Sequence, residues 1–232
     1  MVTLLQHTPD PERVVATAAR LCYSPAGIAE LSESLSQRDC ARLIRSVIAM
    51  GHTSVLEHAS FQFGVEGVSR ALSHQLVRHR HASYSQQSQR YVRAHGFKFV
   101  TPPSIAASPD AYHTFAALMG QAQAAYDTLV GAGIPPEDAR YVLPTAASTR
   151  LVVTMNARSL HNFFKLRTCR RAQGEIRALA EDMLSLCRQA APLLFEKAGA
   201  VCETEGRCDQ GTLTCGRLGE LRAAGNRPGR ED

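Results

Sequence analysis

The chain has 232 residues, 44% of them hydrophobic and 20% charged, a balance that suits a globular domain and excludes a disordered protein. Lys and Arg exceed Asp and Glu by five, with Arg and His concentrated around 70–93 and Arg around 158–177, a pattern suited to an anionic ligand. No apolar run approaches the roughly 18 residues of a membrane span, and MVTLLQHTPDPERVV lacks the basic and apolar regions of a secretory signal, so a cytoplasmic location is expected.

Pro11 at a first helical position predicts a helix over 10–22 with Asp10 as its cap. A second helix is predicted over 36–50, capped by Ser36, with Ala41, Ile44, Val47 and Ile48 on one face and Gly51 as its stop. HTSVLEH reads as a polar junction. Residues 58–66 alternate, Phe61, Phe63 and Val65 on one side, as in a half-buried strand. Helical spacing resumes over 68–79, with Leu72, Leu76 and His79 in line. RHRHASYSQQSQRYVR is too polar for a core element and reads as loop.

A short strand from Phe97 to Val100 is predicted to stop at Pro102-Pro103. Ser108-Pro109 opens a long helix to about Val130, closed by Gly131-Ala132-Gly133. A shorter helix runs from Pro135-Pro136 to Pro144. STRLVVTM at 148–155 reads as a strand, 157–167 as a helix, and 171–197 as one long helix. The expected organisation is a single domain over 1–198, α+β in class, with a small antiparallel sheet and long helices. The Gly-, Arg- and Cys-bearing tail, 199–232, is expected to be loosely ordered.

Seven cysteines, an odd number with no secretory signal, argue against a disulfide framework. The tail spacing Cys202-x5-Cys208-x6-Cys215 contains no CxxC pair or companion His, and His52, Glu57 and His58 do not share a helical face. No metal site is expected from either group. Dinucleotide, Walker and GxSxG motifs are absent.

Three features can carry chemistry. Arg78-His79-Arg80 followed after seven residues by Ser88, and then Arg90, offers guanidiniums and a hydroxyl for phosphate. Asn156, Arg158 and Asn162 combine amides with a guanidinium, and Arg158 and Asn162 share a helical face. Asn156 is equally suited to capping a helix. The basic stretch also suits nucleic acid, although aromatics at 6% leave little for base stacking.

Arg78-His79-Arg80-x7-Ser88 resembles the signature of the flavin-dependent thymidylate synthases, the ThyX-type enzymes. RHRHASYSQQSQRY, GHTSVLEH at 51–58, ARYVLP at 139–144 and NARSLHNFFKLR at 156–167 extend the resemblance over roughly residues 15 to 197. It implies a homotetramer, with active sites shared between subunits, that reductively methylates dUMP to dTMP. Methylenetetrahydrofolate would give the carbon, FAD would carry the hydride and NADPH would reduce the flavin. Neither nucleic acid nor membrane is an implied partner.

By the same resemblance, Gln75, Arg78, Gln86, Gln87, Ser88, Gln89, Arg90, Arg140 and Arg167 would bind dUMP. His52, Ser54, Arg78, His79, Arg80, Gln86, Asn156, Arg158 and Asn162 would bind FAD. Arg167 would be catalytic, favouring an ionised pyrimidine N3. Two departures stand out: Gln86 where some relatives carry Glu, and Arg171 where some carry His. UMP or a modified uridine nucleotide is the alternative substrate.

Overall fold

A computed structural model describes residues 1–225. The elements run β1 (Val2–His7), α1 (Pro11–Leu21), α2 (Ile28–Ser34), α3 (Gln37–Ala49), a 3-10 helix (Thr53–His58), β2 (Ser60–Ser69), α4 (Arg70–Leu76), β3 (Ser83–Gln86), α5 (Pro103–Ala106), α6 (Pro109–Gly131), α7 (Pro136–Ala139) and a 3-10 turn (Arg140–Val142). There follow β4 (Ser148–Asn156), α8 (Ala157–Arg167), α9 (Gly174–Ala190), α10 (Pro192–Phe195), α11 (Val201–Thr204), a 3-10 turn (Gly211–Leu213) and α12 (Arg217–Ala223). The strands form one sheet in the order β1-β2-β4-β3. The α+β class with a small antiparallel sheet is as expected. Thr8 N bonds Ser60 O while Glu66 N bonds Met1 O, and Ala157 N bonds Ala59 O while Arg70 N bonds Ala147 O, so both β1 and β4 run antiparallel to β2.

The chain forms two compact units. The first comprises Met1, Gly64–Arg80 and Tyr84–Val152; the second comprises Val2–Phe63, His81–Ser83 and the chain from Val153 on. Strands β2 and β4 each contribute to both. In the first unit Val65, Leu72, Leu76, Leu151 and Tyr126 form the buried interior. In the second, Phe195 stacks on His161 at 5.4 Å and meets the edges of Phe61 and Phe164 at 5.2 and 6.0 Å.

Local chemistry accounts for the helix ends. Ser36, Ser69 and Ser108 each accept a bond from the backbone N–H three residues on and so cap α3, α4 and α6. Gly51 takes φ 75°, the left-handed conformation that ends α3. Asp10, by contrast, does not cap α1. It is itself left-handed, and its carboxylate accepts from Arg13 Nε at 2.8 Å. Arg13 Nη1 then donates to Ser32 O and Leu35 O, both at 2.9 Å, tying α2 to α1.

Four further expectations need correction. The polar stretch after Arg80 contains β3, an edge strand whose alternation is polar on both faces. Phe97–Val100 makes only a single antiparallel bridge, Phe99 to Ala147, because Phe97 N is taken by Gln123 Oε1 at 2.8 Å. The helix over 171–197 is broken: Gln173 Oε1 accepts from Glu175 N and Ile176 N to start α9 late, and Ala191, placed before Pro192, leaves the helical region at φ −151°, ψ 70°. The tail is not loose over 199–225. It carries α11 and α12 and is tied by Arg170 to Glu220 at 2.8 Å and by Arg217 to Glu203 at 3.2 Å. Residues 226–232 lie outside the described residues. Strand β1 and helix α2 were not anticipated; no residue of β1 is fully buried.

Candidate active site

In the first unit, α4 leads into the basic signature. Helix α4 ends at Leu76, and Tyr84 holds the turn that follows: its Oη lies 2.9 Å from Leu76 O and 2.7 Å from His79 O, so one phenolic proton is shared between two carbonyls. Across this turn His79 is buried while Arg78 and Arg80 are exposed. No carboxylate among the described residues pairs with either arginine. Cations at a helix C-terminus are favoured by the backbone carbonyls there. Gln75, one turn earlier, is half-buried and its amide donates to Ala71 O at 3.4 Å.

Gln86 points back into the unit, donating to Ser73 Oγ at 3.0 Å and Thr149 Oγ1 at 3.2 Å. Gln87, Ser88 and Gln89 border a cavity of about 480 Å³ that also presents Arg70, Arg93, Lys98 and Arg150. Arg70 Nη2 donates to Gln87 O at 2.7 Å, and its Nε is buried with no acceptor among the described residues. Burial, and second the nearby charge of Arg140, push the Arg70 pKa below its usual value. Arg70, Arg93, Lys98 and Arg150 outnumber Glu66, the carboxylate that also lines the cavity, and that balance favours an anion beside them. Ser88 Oγ accepts from Arg90 N at 3.1 Å. Arg90 Nε meets Glu137 Oε2 at 3.0 Å, and Arg140 Nε donates to Glu137 O at 3.0 Å. Arg90 and Arg140 thus meet at Glu137, one at its carboxylate and the other at its backbone carbonyl, and Ser88 joins through Arg90 N.

In the second unit, the 3-10 helix after His52 lies against α8. Arg158 forms an ion pair with Glu57, and Ala157 N bonds Ala59 O at 2.8 Å. His52, Ser54, Arg158 and Asn162 are exposed. Asn156 caps α8, its Oδ1 accepting from Ser159 N at 2.8 Å, which leaves its amide N–H groups for a ligand. Arg167 ends α8 and lines a second cavity of about 350 Å³, with Lys165 and Arg171. Glu57 is engaged by Arg158, and among the described residues no three His, Cys, Asp or Glu side chains converge on a metal position.

The residues inferred from the sequence therefore divide. Gln75, Arg78, His79, Arg80, Gln86, Gln87, Ser88, Gln89, Arg90 and Arg140 belong to the first unit; His52, Ser54, Asn156, Arg158, Asn162 and Arg167 belong to the second. Sequence reasoning missed Tyr84, Glu137, Glu57 and the cations Arg70, Arg93, Lys98 and Arg150. Glu137 alone carried a usable signal, two residues after Pro135 and three before Arg140.

Comparison with known proteins decides the family. The family described as "Thymidylate synthase complementing protein" matches residues 3–193. The chain belongs to the flavin-dependent thymidylate synthase family. A relative named flavin-dependent thymidylate synthase from Geobacter sulfurreducens is 56% identical over 223 residues, covering 95% of this chain and 96% of its own. The relative of the same name from Clostridium tetani is 45% identical over 237 residues, covering 95% of both. A solved structure of a UMP/dUMP methylase, PolB from Streptomyces cacaoi with 5-Br dUMP bound, superposes with a TM-score of 0.74 at 25% identity, covering 84% of this chain and 93% of that one.

Proposed function

We propose that this chain is a flavin-dependent thymidylate synthase that converts dUMP to dTMP in the cytoplasm, with methylenetetrahydrofolate as carbon donor, FAD as the bound cofactor and NADPH as reductant. The observation that carries the reading is the cation-lined cavity of the first unit, where Gln87, Ser88 and Gln89 stand with Arg70, Arg93, Lys98 and Arg150. A nucleoside monophosphate is close to a dianion, and guanidiniums with a hydroxyl are its natural partners. The relatives described above carry the same activity in their names.

The chain's own residues divide the work. Ser88, Arg90 and Arg140 take the phosphate, with Gln75 and Arg78 beside it. The Gln86 amide, fixed by Ser73 and Thr149, orients without ionising, so it donates and accepts hydrogen bonds but is no proton carrier. Arg167 is assigned to the pyrimidine, where its guanidinium would stabilise negative charge at N3 and O4 and so raise electron density at C5. Arginine suits this because it stays charged away from water. Arg78 and Arg80, unpaired with any carboxylate among the described residues, suit the pyrophosphate of FAD; His52, Ser54, His79, Arg158 and Asn162, with the Asn156 amide, complete the set that would hold it. Held there and reduced by NADPH, FAD would supply the hydride for the transferred carbon.

Self-association is part of the reading. Helix α6 buries only Met119 and Tyr126 of its 23 residues and leaves Tyr112 and Leu118 exposed. A homotetramer would cover that face. The experiment is steady-state turnover of dUMP and UMP with light scattering on the same samples. Product from dUMP by a tetramer supports the reading. Product from UMP alone would move the substrate to that of the alternative, which the Streptomyces cacaoi protein, a UMP/dUMP methylase by name, keeps in view.

A further inference from the structure

Four of the seven cysteines line one cavity, the one beside Arg167. Cys169 comes from the turn between α8 and α9, and Cys202, Cys208 and Cys215 come from the tail. All four are free thiols, and none is buried in the core as Cys40 and Cys187 are. Buried cysteines fill space, whereas partly exposed ones clustered from separate segments need another reason. The tail turns at Gly206, Gly211 and Gly216, whose φ values of 65°, 53° and 82° favour glycine. The turns at Gly206 and Gly211 lie between cavity cysteines, and Gly216 follows the last. Cys169 and Cys215 also stand near enough to Cys202 for their charge to be felt there.

We propose that Cys169, Cys202, Cys208 and Cys215 bind one thiophilic divalent cation of the zinc type, joining the tail to the α8–α9 turn. Spacing within the tail argued against such a site because it offers three ligands and no close pair. The fold adds the fourth from another segment. Zinc takes four thiolates tetrahedrally, and a site so filled is structural, with no open position for catalysis. Each thiol gives its proton to solvent and the metal keeps its oxidation state, so no oxidant or reductant is required. Lys165, Arg171 and Arg217 line the same cavity, as does Asp209; Lys165 and Arg217 already pair with Glu205 and Glu203, so Arg171 is the cation most directly available to offset the resulting dianionic centre. Among the described residues no three of these side chains yet converge on one point. Metal binding therefore requires the glycine-turned segment carrying Cys208 and Cys215 to close on Cys169 and Cys202. Among the described residues Cys208 holds only a long contact to Thr214 Oγ1, 3.6 Å, to be released.

The full chain, expressed with zinc and dialysed into metal-free buffer, tests this by elemental analysis and by titrating the metal-free form with Co²⁺. One zinc per chain and a thiolate-to-cobalt charge-transfer band are expected. Cys208→Ser and Cys215→Ser, changes outside the core, should weaken Co²⁺ binding about tenfold or more, while Cys22→Ser leaves it unchanged. Absence of bound zinc and of the cobalt band would overturn the proposal. So would a band indifferent to both tail substitutions, or fewer than seven titratable thiols in the denatured metal-free chain, which would assign the tail to disulfides. None of these readouts uses turnover, so the result stands apart from the proposed activity.

Discussion

Glu137 Oε2 stands 3.0 Å from Arg90 Nε, and both side chains are about half exposed. An ion pair that open to water contributes no more than about 1 kcal/mol, so a phosphate dianion bound at Arg90 as proposed would displace the carboxylate at little cost. Glu137→Gln should leave stability within about 1 kcal/mol and dUMP affinity undiminished. Arg90→Ala should weaken dUMP binding by about tenfold or more, the loss of one charged hydrogen bond of roughly 1.5–3 kcal/mol. Calorimetric titration of both variants checks the pair. Weaker binding in Glu137→Gln would show that the carboxylate is needed in place.

The role proposed for Arg167 is on the ring rather than the phosphate. Arg167→Ala should lower turnover by about a hundredfold or more while dUMP affinity changes much less, as expected when charge stabilisation in the transition state is lost. Single-turnover rates and equilibrium titration separate the two quantities. Equal losses in both would make Arg167 a binding residue only.

Tyr84 is not among the residues assigned to a ligand, yet its hydroxyl closes the turn that presents Arg78 and Arg80. Tyr84→Phe keeps the ring and loses that bond. It should cost about 1 kcal/mol in urea unfolding and reduce FAD retention on gel filtration. Full retention of FAD would confine Tyr84 to stability.

Asn156 has two roles that substitution can divide. Asn156→Ala should destabilise the fold by about 1 kcal/mol through loss of the α8 cap, whereas Asn156→Asp keeps the cap and loses the amide N–H groups. Both should weaken FAD binding if those groups hold it. Unimpaired FAD affinity in Asn156→Asp would leave capping as the whole role.

His161 makes stability depend on pH. Its Nε2 lies 2.7 Å from Leu194 O, so that nitrogen carries the proton, and the ring stacks on Phe195. Burial lowers its pKa from the ordinary value of 6.5, and the bond to Leu194 opposes this only in part. The unfolded chain then binds a proton that the folded chain refuses. Stability from this site is complete above pH 6.5 and is lost as the pH falls through the lower folded value. His161→Phe should flatten the slope of urea stability between pH 7 and pH 5, about the ordinary histidine range. A slope equal to that of the parent would refute the assignment.

Elements with apolar periodicity or a serine cap were legible in the sequence: β2 through Phe61, Phe63 and Val65, α3 through Ser36, Ile44 and Val47, and β4 through Leu151, Val153 and Met155. Strand β3 was not, because its inward residues, Tyr84 and Gln86, are held by hydrogen bonds rather than by burial. The break before α10 was visible in Pro192, which a long run of helix formers outweighed. Within the candidate site, the arginines, Ser88 and Asn156 stood out by type and spacing. Glu137 and Glu57 did not, since the partners that give them meaning, Arg90 and Arg158, are 47 and 101 residues away. The four-cysteine cavity was hidden for the same reason: Cys169 joins the tail only in the folded chain.

The most direct test is an anaerobic single turnover. The chain, loaded with FAD and reduced, is mixed with dUMP and methylenetetrahydrofolate, and the nucleotide is read by mass spectrometry. The account predicts dTMP, formed without any covalent attachment of the nucleotide to a cysteine. Retention of FAD with dUMP recovered unchanged would contradict it.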